Sequence, residues 1–204
     1  MKIICIGRNY IDHAKELKNP VPENPVFFLK PDTALLRRNK PFYYPDFSKD
    51  VHYEGELVVK INKLGKNIQK RFAHSYYEEI GIGIDFTARD LQSKSKAKGL
   101  PWEIAKGFDT SAPVSVEFIH KKEFNDIHSI PFRLDKNGVS VQQGNSGDMI
   151  FDIDELIVYL SKFFTLKTGD LIFTGTPAGV GPIAIGDKLE AYIGEKLMLA
   201  CTIK

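Results

Sequence analysis

Long apolar runs are missing from this chain. No stretch approaches ~18 uninterrupted apolar residues, so no transmembrane helix is predicted. Surplus charge of one sign is missing too: 28 Lys and Arg stand against 26 Asp and Glu, a formal net charge of +2. Such a balance supplies no global field to draw the chain onto nucleic acid or anionic lipid, and neither is an expected partner. Cysteine is scarce, with Cys5 and Cys201 each inside an apolar run near one end. Two distant thiols cannot assemble a thiolate zinc site, and they read as small buried hydrophobes rather than a disulfide. A single Trp beside 14 Phe and 8 Tyr suits strand packing better than a base-stacking platform. The apolar opening Ile3-Ile4-Cys5-Ile6 is too short for a secretory signal, and no Arg- and Ser-rich organelle helix is visible. The expected compartment is the cytoplasm.

What remains is an ordinary globular composition, 43% apolar and 26% charged over 204 residues. It is enough to bury one sizeable core. No repeat or Ser/Gly/Pro linker divides it, so a single domain over residues 1–204 is expected. Short strand-like segments dominate: 2–6, 25–29, 54–61, 80–84, 114–118, 139–143, 170–174, 188–193 and 196–203. Four helices are read between them, at 10–17, 70–79, 88–98 and from 153 onward. The third is entered through Thr87-Ala-Arg-Asp90, in the manner of a capping box, and left through Gly99 and Pro101. The fourth opens on Asp152-Ile-Asp-Glu155 and carries Ile153, Leu156, Ile157, Leu160, Phe163 and Phe164 on one helical stripe. Helices do not alternate regularly with strands, which argues for a mixed α+β fold with a β-rich core.

Within the third strand, period-2 geometry puts His52, Glu54 and Glu56 on one face and Leu57, Val59 and Ile61 on the other. Two carboxylates at i, i+2 lie ~7 Å apart at their Cα atoms and can converge on one cation. Taken alone, the pair is better explained as a solvated strand face. Asp85 then follows the glycine-alternating segment Ile80-Gly-Ile-Gly-Ile84, whose glycines leave space for a neighbouring strand or a ligand; from this segment alone Asp85 is better read as capping the turn. Added to the Glu pair, it makes a hard-cation set of the Mg2+, Mn2+ or Ca2+ kind, with His52 as a conceivable fourth member. The loop Thr174-Gly-Thr-Pro-Ala-Gly-Val-Gly-Pro182 lacks the Gly-Lys-Ser/Thr of a phosphate loop; it is an anion nest or a plain tight connection. Lys106 sits among apolar residues, either snorkelling to solvent or offering charge to a carboxylate or enolate. Arg89 with Gln92, and His13 with Glu16, are i, i+3 pairs. The second pair has the make-up of a water-activating dyad, although most such pairs merely decorate a surface.

Together these segments carry a resemblance. Gly7-Arg-Asn-Tyr10 with His13 and Glu16, Phe28-Leu-Lys-Pro31, Tyr53-Glu-Gly-Glu56, Asp85-Phe-Thr-Ala-Arg-Asp-Leu-Gln92, Ala105-Lys-Gly-Phe108 and the 174–182 loop resemble the fumarylacetoacetate hydrolase family in its order. The nearest likeness is to its short acylpyruvase-like and 2-hydroxyhepta-2,4-diene-1,7-dioate isomerase-like branch. The resemblance implies a β-rich roll of mixed sheets around the site, usually in a homodimer. It also implies a divalent cation, Mg2+ or else Mn2+ or Ca2+, on Glu54, Glu56 and Asp85, and a 2-oxo acid substrate that chelates it. Lys106, Arg8, Arg89, Gln92 and Thr176 match the substrate-holding groups. His13 and Glu16 match the pair on a lid that activates water in hydrolytic members. Gly107 stands where relatives often have Ser, and Asn62 where a Gly commonly ends the metal strand.

The expected activity is metal-dependent C–C hydrolysis of an acylpyruvate to pyruvate and a carboxylic acid, with His13, Glu16 and Lys106 catalytic. The alternatives are isomerisation of 2-hydroxyhepta-2,4-diene-1,7-dioate, decarboxylation of oxaloacetate, and a non-catalytic metal-stabilised binding domain.

Overall fold

The computed structural model describes residues 1–16 and 21–204. Its largest sheet has six strands in the spatial order Val26–Lys30, Ile3–Gly7, Leu171–Phe173, Gly55–Ile61, Tyr77–Ile84 and Ile119–His120. Ile3–Gly7 and Leu171–Phe173 run parallel, and the other neighbours are antiparallel. A second, antiparallel sheet orders Val139–Asn145, Pro131–Lys136, Lys188–Ile193 and Lys196–Thr202. Two small sheets close the ends: Gly181–Pro182, Val51–Tyr53 and Thr87–Ala88 in one, Leu35–Leu36 with Ala112–Pro113 in the other. The helices are α1 (Ile11–Glu16), α2 (Lys70–Ala73), α3 (Arg89–Lys98), α4 (Glu103–Lys106) and α5 (Ile153–Phe163). The expected β-rich roll with a few short helices is what forms.

Both faces of the six-stranded sheet are buried, and strand alternation sorts its side chains between two cores. Ile4, Leu57, Val59, Ile61 and Ile82 enter the larger core, where α5 lays down Ile153, Leu156, Ile157 and Leu160. Ile3, Cys5, Val58 and Phe173 fill a smaller core behind it. Both cysteines are free and buried, as small hydrophobes. The α5 cap matches its reading in full: Asp152 accepts from Glu155 N at 2.7 Å, and Glu155 accepts from Asp152 N at 3.3 Å.

Several expectations are corrected. The helix read over 70–79 ends at Ala73, and a tight turn over His74–Tyr76 leads into a strand from Tyr77. Tyr77 is fully buried and pairs with Ile61, so long-range pairing overrides the local helical pattern. The strand read at 114–118 splits into Ala112–Pro113 and Ile119–His120, with 114–118 connecting two different sheets. Pro131–Lys136, a full six-residue strand, was not anticipated, because PFRLDK mixes charge with apolar residues. Its hairpin signal was present in Asn137-Gly138, both at positive φ as a tight two-residue turn demands. Thr87 belongs to a strand, and Ala88 takes the N-cap position of α3 with no side-chain cap. At the other end Gly99 closes α3 at φ 62, as expected. Leu17, the last residue of the first expected helix, lies outside the described residues.

The glycines of Ile80–Ile84 make room for neighbouring chain, not for a ligand. A Cβ on Gly83 would stand 2.5 Å from the Phe173 ring and 2.9 Å from the Pro113 carbonyl oxygen. We expect Asp152→Ala, which removes one side of the α5 capping box, to destabilise the fold by about 1 kcal/mol. A thermal melt should show Tm lower by roughly 2–4 °C, and an unchanged Tm would contradict the cap's role.

Candidate active site

The sheet register builds the acidic cluster. Gly55 pairs with Ile84 and Glu56 with Gly83. One step beyond the ladder, Asp85 N donates to Glu54 O at 2.8 Å. Two carboxylates from distant segments are thereby placed side by side, with Glu56 two residues along. One oxygen from each of Glu54, Glu56 and Asp85 falls within 4.8 Å of the others, and all three residues are buried. Among the described residues no other group of three potential ligands converges in this way.

His52 does not join them. The chain changes sheets at Glu54, between strands Val51–Tyr53 and Gly55–Ile61, and the change breaks the period-2 face that grouped His52 with the glutamates. His52 Nε2 instead contacts Asp50 Oδ1 at 2.9 Å.

Three buried carboxylates require compensation. Lys106, at the end of α4, is 2% exposed and does not snorkel. Its ammonium donates to Glu54 Oε2 at 2.8 Å, Asp85 Oδ2 at 2.8 Å and Thr87 Oγ1 at 2.5 Å. An ammonium has three protons, so in this arrangement none is left for a substrate. Arg89, from the first turn of α3, donates to Glu54 Oε1 at 2.6 Å and to its helix neighbour Gln92 at 2.7 Å. Burial raises the pKa of Glu54, but Lys106 and then Arg89 outweigh it and hold the carboxyl far below the usual range. Glu56 has no ion pair among the described residues; burial, Asp85 and Glu54 push its pKa well up. Burial also works against the Lys106 ammonium, yet Asp85 and Glu54 raise its pKa.

Lys30 is the residue the sequence reading passed over. It ends the strand Val26–Lys30, is fully buried, and places Nζ 2.7 Å from Asp85 Oδ1. Its donors go to Phe86 O, Ser111 O and Ser111 Oγ at 2.9–3.1 Å. The Asp85 oxygen is therefore buried beside a cation without receiving a hydrogen bond. A lysine closing the apolar run Val-Phe-Phe-Leu was the available signal.

The 174–182 loop is an anion nest whose anions are the protein's own side chains. Gly175 N donates to Glu56 Oε2 at 2.8 Å, and Gly179 N donates to Glu16 Oε1 at 3.1 Å. Gly175 has φ 102, and a Cβ there would meet Asn9 Cβ at 2.7 Å. Asn9, given no role in the motif Gly7-Arg-Asn-Tyr10, ties the segment before α1 to this loop through Thr174 O at 2.7 Å and to Phe151 through two further hydrogen bonds. Thr176 is buried at the cavity wall, but its hydroxyl donates to Gly55 O and accepts from Gln142 Nε2. It braces the loop rather than offering a proton to a ligand. Gln142, buried, completes that brace by accepting from Gly55 N at 2.8 Å.

Over the acids sits the dyad. His13 on α1 is 5% exposed and contacts Glu16 Oε2 through Nδ1 at 3.1 Å. It lines a small cavity, about 40 Å3, together with Glu54, Glu56, Arg8, Arg89 and Lys106. Gln92 and Thr176 also reach its wall, so every residue expected at the site borders the cavity except Asp85, which lies beneath it, and Glu16, which stands behind His13.

Three buried carboxylates, each with an oxygen within reach of the others, suit a hard divalent cation. A family model described as fumarylacetoacetate (FAA) hydrolase C-terminal matches residues 2–204. The chain belongs to the fumarylacetoacetate hydrolase family. It is 43% identical to a mitochondrial oxaloacetate tautomerase of Mus musculus over 99% of this chain and 91% of that one. It is 44% identical to a mitochondrial oxaloacetate decarboxylase of Dictyostelium discoideum, covering 94% and 88% of the two chains. The fumarylpyruvate hydrolase of Pseudomonas aeruginosa, solved with Mn2+ and pyruvate, superposes at TM-score 0.93 with 35% identity, over 100% of this chain and 89% of that one. Members of the family are thus enzymes named for several reactions of 2-oxo acids, and members named mitochondrial occur beside the expected cytoplasmic setting. No helix among the described residues is long and apolar enough to cross a membrane.

Two outcomes are expected of this cluster. Mn2+ at about one hundred times its Kd should stabilise the chelator-stripped protein by about 2.7 kcal/mol, seen as a rise in Tm that Glu56→Gln removes; an unresponsive wild type would remove the cluster's candidacy. In metal-free buffer, Lys30→Met should lower unfolding stability by about 3–5 kcal/mol, because it strips a buried cation from a buried carboxylate. A urea midpoint equal to wild type would contradict that.

Proposed function

We propose that this chain is a divalent-metal-dependent enzyme that forms and reprotonates the enolate of a 2-oxo acid, with keto–enol tautomerisation of oxaloacetate as its reaction. The observation that carries this reading is the His13–Glu16 pair, seated over the Glu54, Glu56 and Asp85 cluster in one small cavity. In the proposed assembly these three carboxylates hold the cation, Mg2+ by default with Mn2+ or Ca2+ as substitutes. When bound, the ion supplies positive charge against the oxygens of a chelating 2-oxo acid.

The chain's own residues then do the following. Glu16 can only accept, so it fixes the imidazole proton on Nδ1 and leaves His13 Nε2 as the base. Nε2 takes a proton from the carbon next to the 2-oxo group, and the protonated ring returns one to the enolate oxygen. One C–H bond breaks, one O–H bond forms, and no water is consumed. Gly179 holds Glu16, and so the dyad, in place from the loop that also holds Glu56. Lys106, Lys30 and Arg89 hold Glu54 and Asp85 in place by ion pairing. The similarity of the chain to an oxaloacetate tautomerase over nearly its whole length supports this substrate. The catalytic unit is taken as residues 1–204, working as a homodimer.

A second reading, hydrolysis of an acylpyruvate, is favoured by the same dyad, which can deprotonate a water as readily as a carbon acid. It is also favoured by the likeness to the fumarylpyruvate hydrolase.

The test follows the enol absorbance of oxaloacetate after chelation and metal add-back. His13→Asn should lower kcat by roughly 10²–10⁴ while leaving the Mn2+-induced stabilisation intact. Wild-type turnover in that variant would end the proposal. Product analysis on an acylpyruvate separates the readings: pyruvate plus a carboxylic acid marks hydrolysis, and CO2 from oxaloacetate marks decarboxylation. Metal-dependent stabilisation with no turnover on any 2-oxo acid marks a binding domain.

A further inference from the structure

Arg89, Gln92 and Lys96 stand at i, i+3 and i+7 along α3, one helical face turned to the cavity, and all three line it. Arg89 is committed to Glu54 and Gln92. Lys96 is not committed to any acid. Among the described residues neither Lys96 nor Arg8, which faces the same cavity, forms an ion pair, whereas Lys30, Lys106 and Arg89 all do.

Lys96 lies at the mouth, its ammonium 5.2 Å from the Trp102 ring centroid. Burial, Arg89 and Arg8 all lower its pKa, so the cations are close enough to repel one another. Arg8 is held at φ 60, a left-handed conformation uncommon for a residue with a side chain. Five cationic side chains thus surround three carboxylates, and a divalent ion would add to that excess. Two cations without an acidic partner, facing a cation-binding site, offer their charge to an anion that arrives with the ligand.

We propose that Lys96 and Arg8 form a distal anion subsite, which selects 2-oxo acids with a second carboxylate at the end away from the metal ligands. The inference rests on the 2-oxo acid reading of the site and assigns the residues that would hold the second carboxylate of a substrate such as oxaloacetate. Trp102 and Phe28, 6.1 Å apart at their ring centroids, wall the same cavity and leave the cationic pair as its polar feature at the mouth.

Malate and lactate test it by binding alone. Both present a 2-hydroxy acid, and only malate adds the distal carboxylate. Calorimetry in saturating Mg2+ should show wild type binding malate at least about tenfold more tightly than lactate. In Lys96→Gln the ratio should fall below about threefold with lactate affinity unchanged. Lys96→Glu should reverse the preference, and raised salt should shrink the wild-type ratio. Because Lys96 is an exposed helix residue, both variants are expected to fold; Arg8→Gln adds the second half of the pair. Equal malate and lactate binding in wild type, or a ratio unmoved by both Lys96 substitutions, overturns the subsite. Failure of the enolisation reading would appear separately, as malate preference retained in a protein that does not turn over oxaloacetate.

Discussion

Everything at this site depends on ammonium groups buried against carboxylates. Bringing three carboxylates within 4.8 Å of one another inside a protein is prohibitive unless positive charge is built in with them. Lys106 supplies it between Glu54 and Asp85, Arg89 supplies it behind Glu54, and Lys30 supplies it beneath Asp85. Each cation comes from a different element: the end of α4, the first turn of α3, and the last residue of an edge strand. Helices α3 and α4 thus serve as supports that deliver two of these charges. Glu56 is the one acid without such a partner, and its proton affinity is correspondingly high.

A second constraint links the acids to α1. The glycine-bearing loop after Leu171–Phe173 gives one backbone N–H to Glu56 and another to Glu16. Only residues without a Cβ fit at Gly175 and Gly179, where the chain is at positive φ and presses against Asn9 and the Val141 carbonyl. Thr176 and Gln142 pin the same loop to Gly55. The dyad and the acids are thus tied to one loop by hydrogen bonds of ordinary length.

The groups that stayed illegible in the sequence share a feature. Lys30, Asn9, Gln142 and Lys96 are single polar residues in stretches that read locally as strand, loop or solvated helix. Their meaning lies in partners 34 to 165 positions away for Lys30, Gln142 and Asn9, and for Lys96 in a cavity that its own helix does not define. His52 shows the converse error. Its grouping with the glutamates assumed an unbroken strand, and a switch between sheets at Glu54 undid it. Local periodicity describes side-chain direction only while the backbone conformation persists.

By itself the sequence determined the cap of α5 and its buried stripe from Ile153 to Leu160, the burial of both cysteines, the meeting of His13 with Glu16, and the family through its ordered motifs; the expected end of that stripe fails, because Phe163 is exposed and Phe164 has left the helix for extended backbone. All of these rest on contacts a few residues apart or on residue types at fixed spacing. Only the tertiary structure decided that Glu54 lies beside Asp85, that Lys106 points inward with all its protons engaged, and that Lys30 closes the cluster from below. The register of Gly55–Ile61 against Tyr77–Ile84 makes that choice. Register is settled by packing across the whole sheet, a cooperative property that no local window of residues contains.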